Sequence, residues 1–136
     1  MPVICALVRN CKSYIAFLPA VLLTVAVAVV SLWESPHVPR EMAMHDKLMH
    51  GLMYTVLAIS WMAPIAKYQI SNIKYQISNY LLVCLCVTAY GALIEILQRY
   101  CTMTRSGEMA DLLADFLGAL IGVAIVALLR ILNFKS

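Results

Sequence analysis

The chain has 136 residues, of which 63% are hydrophobic and only 12% are charged, and its formal net charge is +3. Soluble domains have roughly a quarter of their residues charged, so this composition excludes an ordinary soluble fold and predicts an all-α membrane protein. The length predicts a single membrane domain over residues 1–136, and the absence of a basic cluster argues against nucleic-acid binding.

The first predicted element is a charge-free apolar run over residues 14–33, with the sequence YIAFLPAVLLTVAVAVVSLW. It is long enough to cross about 30 Å of hydrocarbon as a helix. Its apolar core exceeds the length typical of a signal peptide and no small-x-small cleavage site follows, so we predict an uncleaved anchor. Its faces carry no polar stripe, which favours packing and anchoring rather than chemistry.

The second predicted span covers residues 47–66 and follows a polar loop over residues 34–46. Five polar or small residues share one face of this helix at helical spacing: Lys47, His50, Gly51, Tyr54 and Ala58. A stripe of this kind, on an otherwise apolar helix, predicts that this face is turned toward other helices.

A tandem copy, KYQISNI followed by KYQISNY, separates the second span from the third. Two copies are too few for a coiled coil. The lysines and tyrosines suit a segment at the membrane surface, so residues 67–79 are predicted to form a loop there.

Ionisable side chains occur inside the third and fourth predicted spans, residues 79–100 and 110–132. Carboxylates at membrane depth are costly, so they predict either a functional site or ion pairs inside a helix bundle. With about 100° of rotation per residue, each span has one polar and small stripe. The stripes consist of Gly91, Glu95 and Gln98 in the third span, and of Asp111, Asp115, Gly118 and Gly122 in the fourth. A short turn between the spans lets these stripes face each other, and the Gly-x-x-x-Gly spacing predicts close helix packing.

The distribution of Lys and Arg predicts the orientation. Six of these residues fall on one side of the predicted spans: Arg9, Lys12, Lys67, Lys74, Arg130 and Lys135. The opposite loops hold four, together with most of the acids. The positive-inside rule therefore predicts that both termini are cytoplasmic.

Under that topology the polar residues of the last three spans share one level near the external face. Those predicted to enclose an outward-facing pocket are Lys47, His50, Tyr54, Glu95, Gln98, Arg105, Asp111 and Asp115. The two basic residues face three carboxylates. One shared proton, or a protonated histidine, would bring the pocket close to neutral, as a low dielectric demands.

Three blocks of the sequence, DKLMHGLMY, GALIEILQ and RSGEMADLLADFLGALIG, resemble the VanZ-like membrane proteins, named after a factor linked to low-level teicoplanin resistance. The resemblance covers residues 46–122. The residues at the matching motif positions are Lys47, His50, Glu95, Gln98, Arg105 and Asp111. Asp115 departs from the pattern, in which Asn is usual. The resemblance implies a bacterial cell-envelope role, and hence the cytoplasmic (inner) membrane, but no established reaction.

The preferred hypothesis for the function is recognition of an anionic envelope lipid or lipid-linked cell-wall precursor, with glycopeptide (teicoplanin) tolerance as an outcome. Lys47 and Arg105 are predicted to bind phosphate, together with backbone N–H groups near Ser106. The residues proposed to position the ligand, move a proton or hold a divalent cation are His50, Glu95, Asp111 and Asp115. Tyr54 and Gln98 complete the predicted ligand-binding set.

Two other functions stay open. The first is a membrane-embedded phosphatase or transferase acting on a lipid phosphate, for which Ser106 with His50 as base is a weakly supported nucleophile. The second is a non-catalytic accessory protein whose buried ion pairs only fix helix register. A copper site is a further hypothesis, built on Met42, Met44, His45, Met49, His50 and Met53, although methionine is also ordinary apolar filler. Self-association is likewise left open.

Overall fold

The computed structural model describes residues 2–33, 43–68, 73–101 and 109–134. These residues form four helices: α1 Pro2–Leu32, α2 Ala43–Tyr68, α3 Ile73–Cys101 and α4 Met109–Phe134. The described part of the chain contains no strand. The predicted all-α class is therefore confirmed.

Each helix contains a segment long and apolar enough to cross a membrane. The four segments are Tyr14–Leu32, His45–Ala66, Ile77–Cys101 and Met109–Leu132, with lengths of 19, 22, 25 and 24 residues. At about 1.5 Å per residue these segments are about 28 to 38 Å long, which suits a hydrocarbon core of roughly 30 Å. Large apolar side chains such as Leu22, Leu85 and Leu128 are exposed on their outer faces. The chain is a multi-pass membrane protein.

The tandem repeat is largely helical, so the prediction of a loop over residues 67–79 is wrong. The second copy, residues 74–80, lies within α3, and Lys67 and Tyr68 of the first copy end α2. Residues 69–72 lie outside the described ranges. The repeat contains neither Gly nor Pro, and a helix that continues past the apolar segment keeps its backbone hydrogen bonds satisfied.

Helices α2 and α4 are in direct backbone contact. A Cβ atom added at Gly118 would collide with the carbonyl oxygen of Gly51, and one added at Gly122 would lie 2.5 Å from the carbonyl oxygen of Thr55. The hydroxyl of Thr55 lies 2.7 Å from the Gly51 carbonyl oxygen and 3.0 Å from the Gly118 carbonyl oxygen, so it joins the two backbones. The Gly-x-x-x-Gly spacing of α4 thus allows the close packing of α4 against α2.

Helix α1 packs against α2 and α3, and among the described residues it makes no contact with α4. Tyr90 donates a hydrogen bond to the carbonyl oxygen of Thr24 at 2.6 Å, and the indole N–H of Trp61 donates to the Thr24 hydroxyl at 3.1 Å. Gln98 donates to the carbonyl oxygen of Ser31 at 2.9 Å. Thr24 and Ser31, which are seven residues apart, lie on one face of α1, and this face contacts α2 and α3.

The polar contacts place one end of each helix at a common level. The end of α1 meets the end of α3 through Ser31 and Gln98, and the start of α2 meets the start of α4 through Lys47 and Asp111. The remaining depth of the bundle has an apolar core that includes Leu57, Met62, Val83, Val87 and Val123. We call the first region the polar end; it positions the candidate site.

Candidate functional site

The polar end contains two adjoining groups of ionisable side chains. We call Lys47 and Asp111 the outer ion pair, and His50, Glu95 and Asp115 the buried cluster. Both groups are built from the first turns of α2 and α4, and the buried cluster also uses the last turns of α3. These are the residues whose helical spacing predicted that they would face one another.

The outer ion pair joins α2 to α4. Lys47 Nζ lies 3.2 Å from Asp111 Oδ1, and the side chains are 36% and 9% exposed, respectively. Asp111 lies in the first turn of α4, where the partial positive charge of the helix N-terminus favours a carboxylate. Lys47 therefore offers an accessible ammonium group that is held in place by a nearly buried acid.

The buried cluster joins three helices with side chains that are almost inaccessible. His50 is 2% exposed, Glu95 7% and Asp115 0%. His50 Nδ1 lies 3.0 Å from Asp115 Oδ1 and 3.8 Å from Glu95 Oε1. With both carboxylates ionised, the cluster has a net charge of −1 if the histidine is protonated and −2 if it is neutral. Buried negative charge is costly at this depth, so the cluster favours binding a proton or a cation.

Gly91 of α3 leaves the space in which Asp115 lies. A Cβ atom added at Gly91 would be 2.7 Å from Asp115 Oδ2 and 3.0 Å from Cε1 of Tyr54. The rings of Tyr54 and His50 are stacked, with centroids 6.4 Å apart and an interplanar angle of 5°. Tyr54 thus covers the buried cluster on the side facing the apolar core.

Two polar atoms at the cluster have no hydrogen-bond partner among the described residues: the hydroxyl oxygen of Tyr54 and Oδ2 of Asp115. Both residues are 0% exposed. A buried polar atom without a partner costs about 1–3 kcal/mol, and such atoms are rare in native proteins. The site therefore has hydrogen-bonding or ligating capacity beyond what its own side chains use.

The other predicted site residues have different locations. Gln98 is 3% exposed and contacts α1 through its bond to the Ser31 carbonyl oxygen. Arg105 and Ser106 lie outside the described residues. The copper hypothesis is not favoured, because Met49 is 55% exposed whereas the neighbouring His50 is buried. Of its other methionines, Met42 lies outside the described ranges and the side chain of Met44 is not described.

An apolar cavity of about 360 Å³ lies between α1, α2 and α3. It is lined by Leu57, Trp61, Ile65, Leu82, Val87 and Tyr90, among others. The sequence did not predict it. The hydroxyl of Tyr90 and the indole N–H of Trp61 are both bound to Thr24, which leaves an apolar surface facing the cavity.

The family model described as VanZ/LLP1 matches residues 14–130. The chain belongs to the VanZ/LLP1 family. The matched range begins at the membrane segment of α1, ends near the end of α4, and includes the outer ion pair and the buried cluster. The predicted resemblance to VanZ-like proteins is therefore confirmed. No curated protein and no solved structure gives a significant match to this VanZ/LLP1 chain.

Proposed function

We propose that this VanZ/LLP1 chain binds the phosphate of an anionic envelope lipid or of a lipid-linked cell-wall precursor at its polar end. The observation that carries the proposal is the position of Lys47, which is 36% exposed and held by the nearly buried Asp111 directly beside the buried cluster. An ammonium group of this kind binds phosphate as a point charge. Arg105 and Ser106, in the segment between α3 and α4, are the further phosphate-binding candidates in the sequence.

The apolar cavity between α1, α2 and α3 supports a lipid as the ligand rather than a water-soluble phosphate. Its volume of about 360 Å³ falls in the range of small-molecule pockets. The polar atoms of Trp61 and Tyr90 that could face the cavity are bound to Thr24, so the surface suits an acyl or prenyl chain. A polar end for the phosphate and an apolar cavity within the same bundle fit the two parts of one amphipathic molecule.

The orientation expected from the Lys and Arg distribution places this site at the external face of the bacterial cytoplasmic membrane. Both termini are then cytoplasmic. Increased tolerance to teicoplanin on expression of the chain is the cellular consequence we propose.

Replacing Lys47 should weaken binding of a lipid phosphate. We expect Lys47→Gln to reduce the affinity for a polyprenyl phosphate or phosphatidylglycerol by about tenfold or more, because one charge-assisted contact is lost. Binding is measured by native mass spectrometry of the full chain in nanodiscs of phosphatidylcholine with a titrated fraction of the anionic lipid. The double variant Lys47→Gln/Asp111→Asn, which leaves no unpaired acid, should show the same loss.

Arg99 provides the matched control for this experiment. It is an exposed cation in the last turn of α3, at the same end of the bundle. Arg99→Gln removes the same charge and should change the affinity by less than about twofold, because exposed charges are screened. An equal loss in both variants would mean that the lipid is held by diffuse charge attraction, which contradicts a site at Lys47.

The His50–Asp115 contact favours a second candidate function, a phosphatase or transferase that acts on the bound lipid phosphate. His50 Nδ1 lies 3.0 Å from the buried carboxylate of Asp115. In many enzymes a carboxylate in this position orients a histidine that acts as general base. Glu95, with Oε1 3.8 Å from the same nitrogen, is the neighbouring acid–base group. This function requires that substrate reaches a cluster that is nearly inaccessible.

Glu95→Gln separates the two candidate functions. It keeps the shape of the side chain but removes its ability to transfer a proton, which typically costs 10²–10⁴-fold in rate. For a phosphatase we expect phosphate release from the lipid to fall by at least about 100-fold while lipid binding stays within about twofold. Wild-type protein that binds lipid but releases no phosphate rejects the phosphatase function.

A further inference from the structure

We propose that His50, Glu95 and Asp115 bind a divalent transition-metal ion. One ligand atom from each residue lies within 4.8 Å of the others. His50 Nδ1 is 3.0 Å from Asp115 Oδ1 and 3.8 Å from Glu95 Oε1. Around an ion with ligand distances of about 2.1 Å, neighbouring ligand atoms are roughly 3 to 3.5 Å apart. The ion can therefore be accommodated by small side-chain rotations on three helices that already meet.

The set of ligand atoms selects the class of ion. One imidazole nitrogen with two carboxylates suits Zn²⁺, Mn²⁺ or Fe²⁺, whereas Mg²⁺ and Ca²⁺ prefer oxygen alone and Cu(I) prefers sulfur. Three protein ligands are also the number found in catalytic zinc sites, which leave a further position for water or for a substrate oxygen. A lipid phosphate oxygen is a suitable occupant of that position.

Charge balance supports the same assignment. With a neutral histidine, the two carboxylates of the buried cluster sum to −2, and one divalent ion brings the total to zero. At exposures of 2%, 7% and 0%, solvent water does little to offset the negative charge of the carboxylates. A bound cation is often the largest charge of such a site.

An independent observation comes from the two buried atoms without partners. Asp115 Oδ2 and the Tyr54 hydroxyl oxygen have no hydrogen-bond partner among the described residues, and both residues are 0% exposed. Cε1 of Tyr54 and Oδ2 of Asp115 lie 3.0 and 2.7 Å, respectively, from the position that a Cβ atom on Gly91 would occupy. An ion gives Oδ2 a cation to coordinate, and water bound to that ion is a partner for the tyrosine hydroxyl.

The metal site does not depend on the proposed lipid binding. A protein that binds the ion but no lipid would retain this site and lose only the proposed function, and the reverse holds for a protein that binds lipid alone. The two are therefore tested separately, the ion in detergent without any phospholipid.

The experiment uses the full chain, purified without a polyhistidine tag, stripped with a chelator and titrated with Zn²⁺, Mn²⁺ or Co²⁺. We expect one ion per chain by elemental analysis after desalting, and a melting temperature that rises with ion concentration. Asp115→Asn and Glu95→Gln should each weaken binding at least tenfold, because loss of even an indirect metal partner costs 10–100-fold. Asp46→Asn, which removes an acid in the first turn of α2 that is not part of the cluster, should stay within about twofold.

One three-ligand site holds a single ion. A wild-type content below about 0.2 ion per chain would therefore overturn the proposal. So would an equal loss in Asp46→Asn and Asp115→Asn, which would indicate diffuse attraction to acids. A second measurement does not depend on the folding of cluster variants. In the double variant His37→Gln/His45→Gln, pulsed electron paramagnetic resonance of bound Mn²⁺ should still show coupling to one imidazole nitrogen, from His50. Mn²⁺ without nitrogen coupling would also overturn the proposal.

Discussion

Replacing Gly118 with alanine will destabilise the bundle, whereas the same replacement at Gly51 will not. A Cβ atom at Gly118 collides with the carbonyl oxygen of Gly51, which is backbone and cannot rotate away. Overpacking costs about 1–3 kcal/mol and more where backbones must separate, so we expect a loss near the upper end of that range. A Cβ atom at Gly51 meets the Ala114 carbonyl oxygen at 3.7 Å, an ordinary contact.

The measurement is the free energy of unfolding in mixed detergent micelles, followed by the near-ultraviolet signal of the tryptophans. Gly51→Ala should be neutral or stabilising by about 0.5–1 kcal/mol, since alanine has the higher helix propensity. The two glycines face each other across the same contact, so the pair tests which of the two backbones lacks space. Equal effects of the two variants would show that α2 and α4 are aligned differently.

The helices and the α2–α4 contact could be predicted from the sequence, because each depends on a local pattern. The lengths of the apolar runs predicted four spans, and the Gly118–Gly122 spacing predicted close approach of another helix. The same periodicity predicted that stripes containing His50, Glu95 and Asp115 would face one another. The structure places these three side chains within hydrogen-bonding or ion-pair distance.

The pairing inside the polar end could not be predicted. From the sequence, Lys47 could pair with Glu95, Asp111 or Asp115. The structure pairs it with Asp111 and gives His50 the bond to Asp115. One residue along a helix changes the height by about 1.5 Å and the direction by about 100°, so the pairing depends on the relative height and rotation of the helices. Periodicity within one helix leaves both of these undetermined.

The contribution of α1 was missed for a different reason. The groups of α1 that accept from Tyr90 and Gln98 are the backbone carbonyl oxygens of Thr24 and Ser31. Every residue has a carbonyl oxygen, so no sequence signal marks these two. The available signal lies on the donor side, since a tyrosine and a glutamine inside a membrane span each require a partner. The sequence predicted Gln98 only as a pocket residue and gave no predicted partner for Tyr90.

The second prediction concerns the His50–Asp115 pair and separates a structural role from a functional one. We expect His50→Leu alone to cost about 3–5 kcal/mol at neutral pH, because Asp115 and Glu95 then remain buried without their shared partner. The double variant His50→Leu/Asp115→Leu removes one of those charges and should recover much of that loss. The unfolding free energies of the wild type, both single variants and the double variant should therefore give a coupling of at least about 2 kcal/mol.

The outer ion pair is the control for this cycle. Lys47→Met and Asp111→Leu should couple by no more than about 1 kcal/mol, since the Lys47 side chain is 36% exposed and solvent screens the pair. Both cycles are run on chelator-treated protein, because a metal bound at the buried cluster would add its own coupling. Additive effects at His50 and Asp115 would contradict a pair that stabilises the fold. A large coupling together with retained lipid binding in the double variant would restrict the buried pair to fixing helix register, and would leave ligand binding to Lys47 and its neighbours at the mouth of the site.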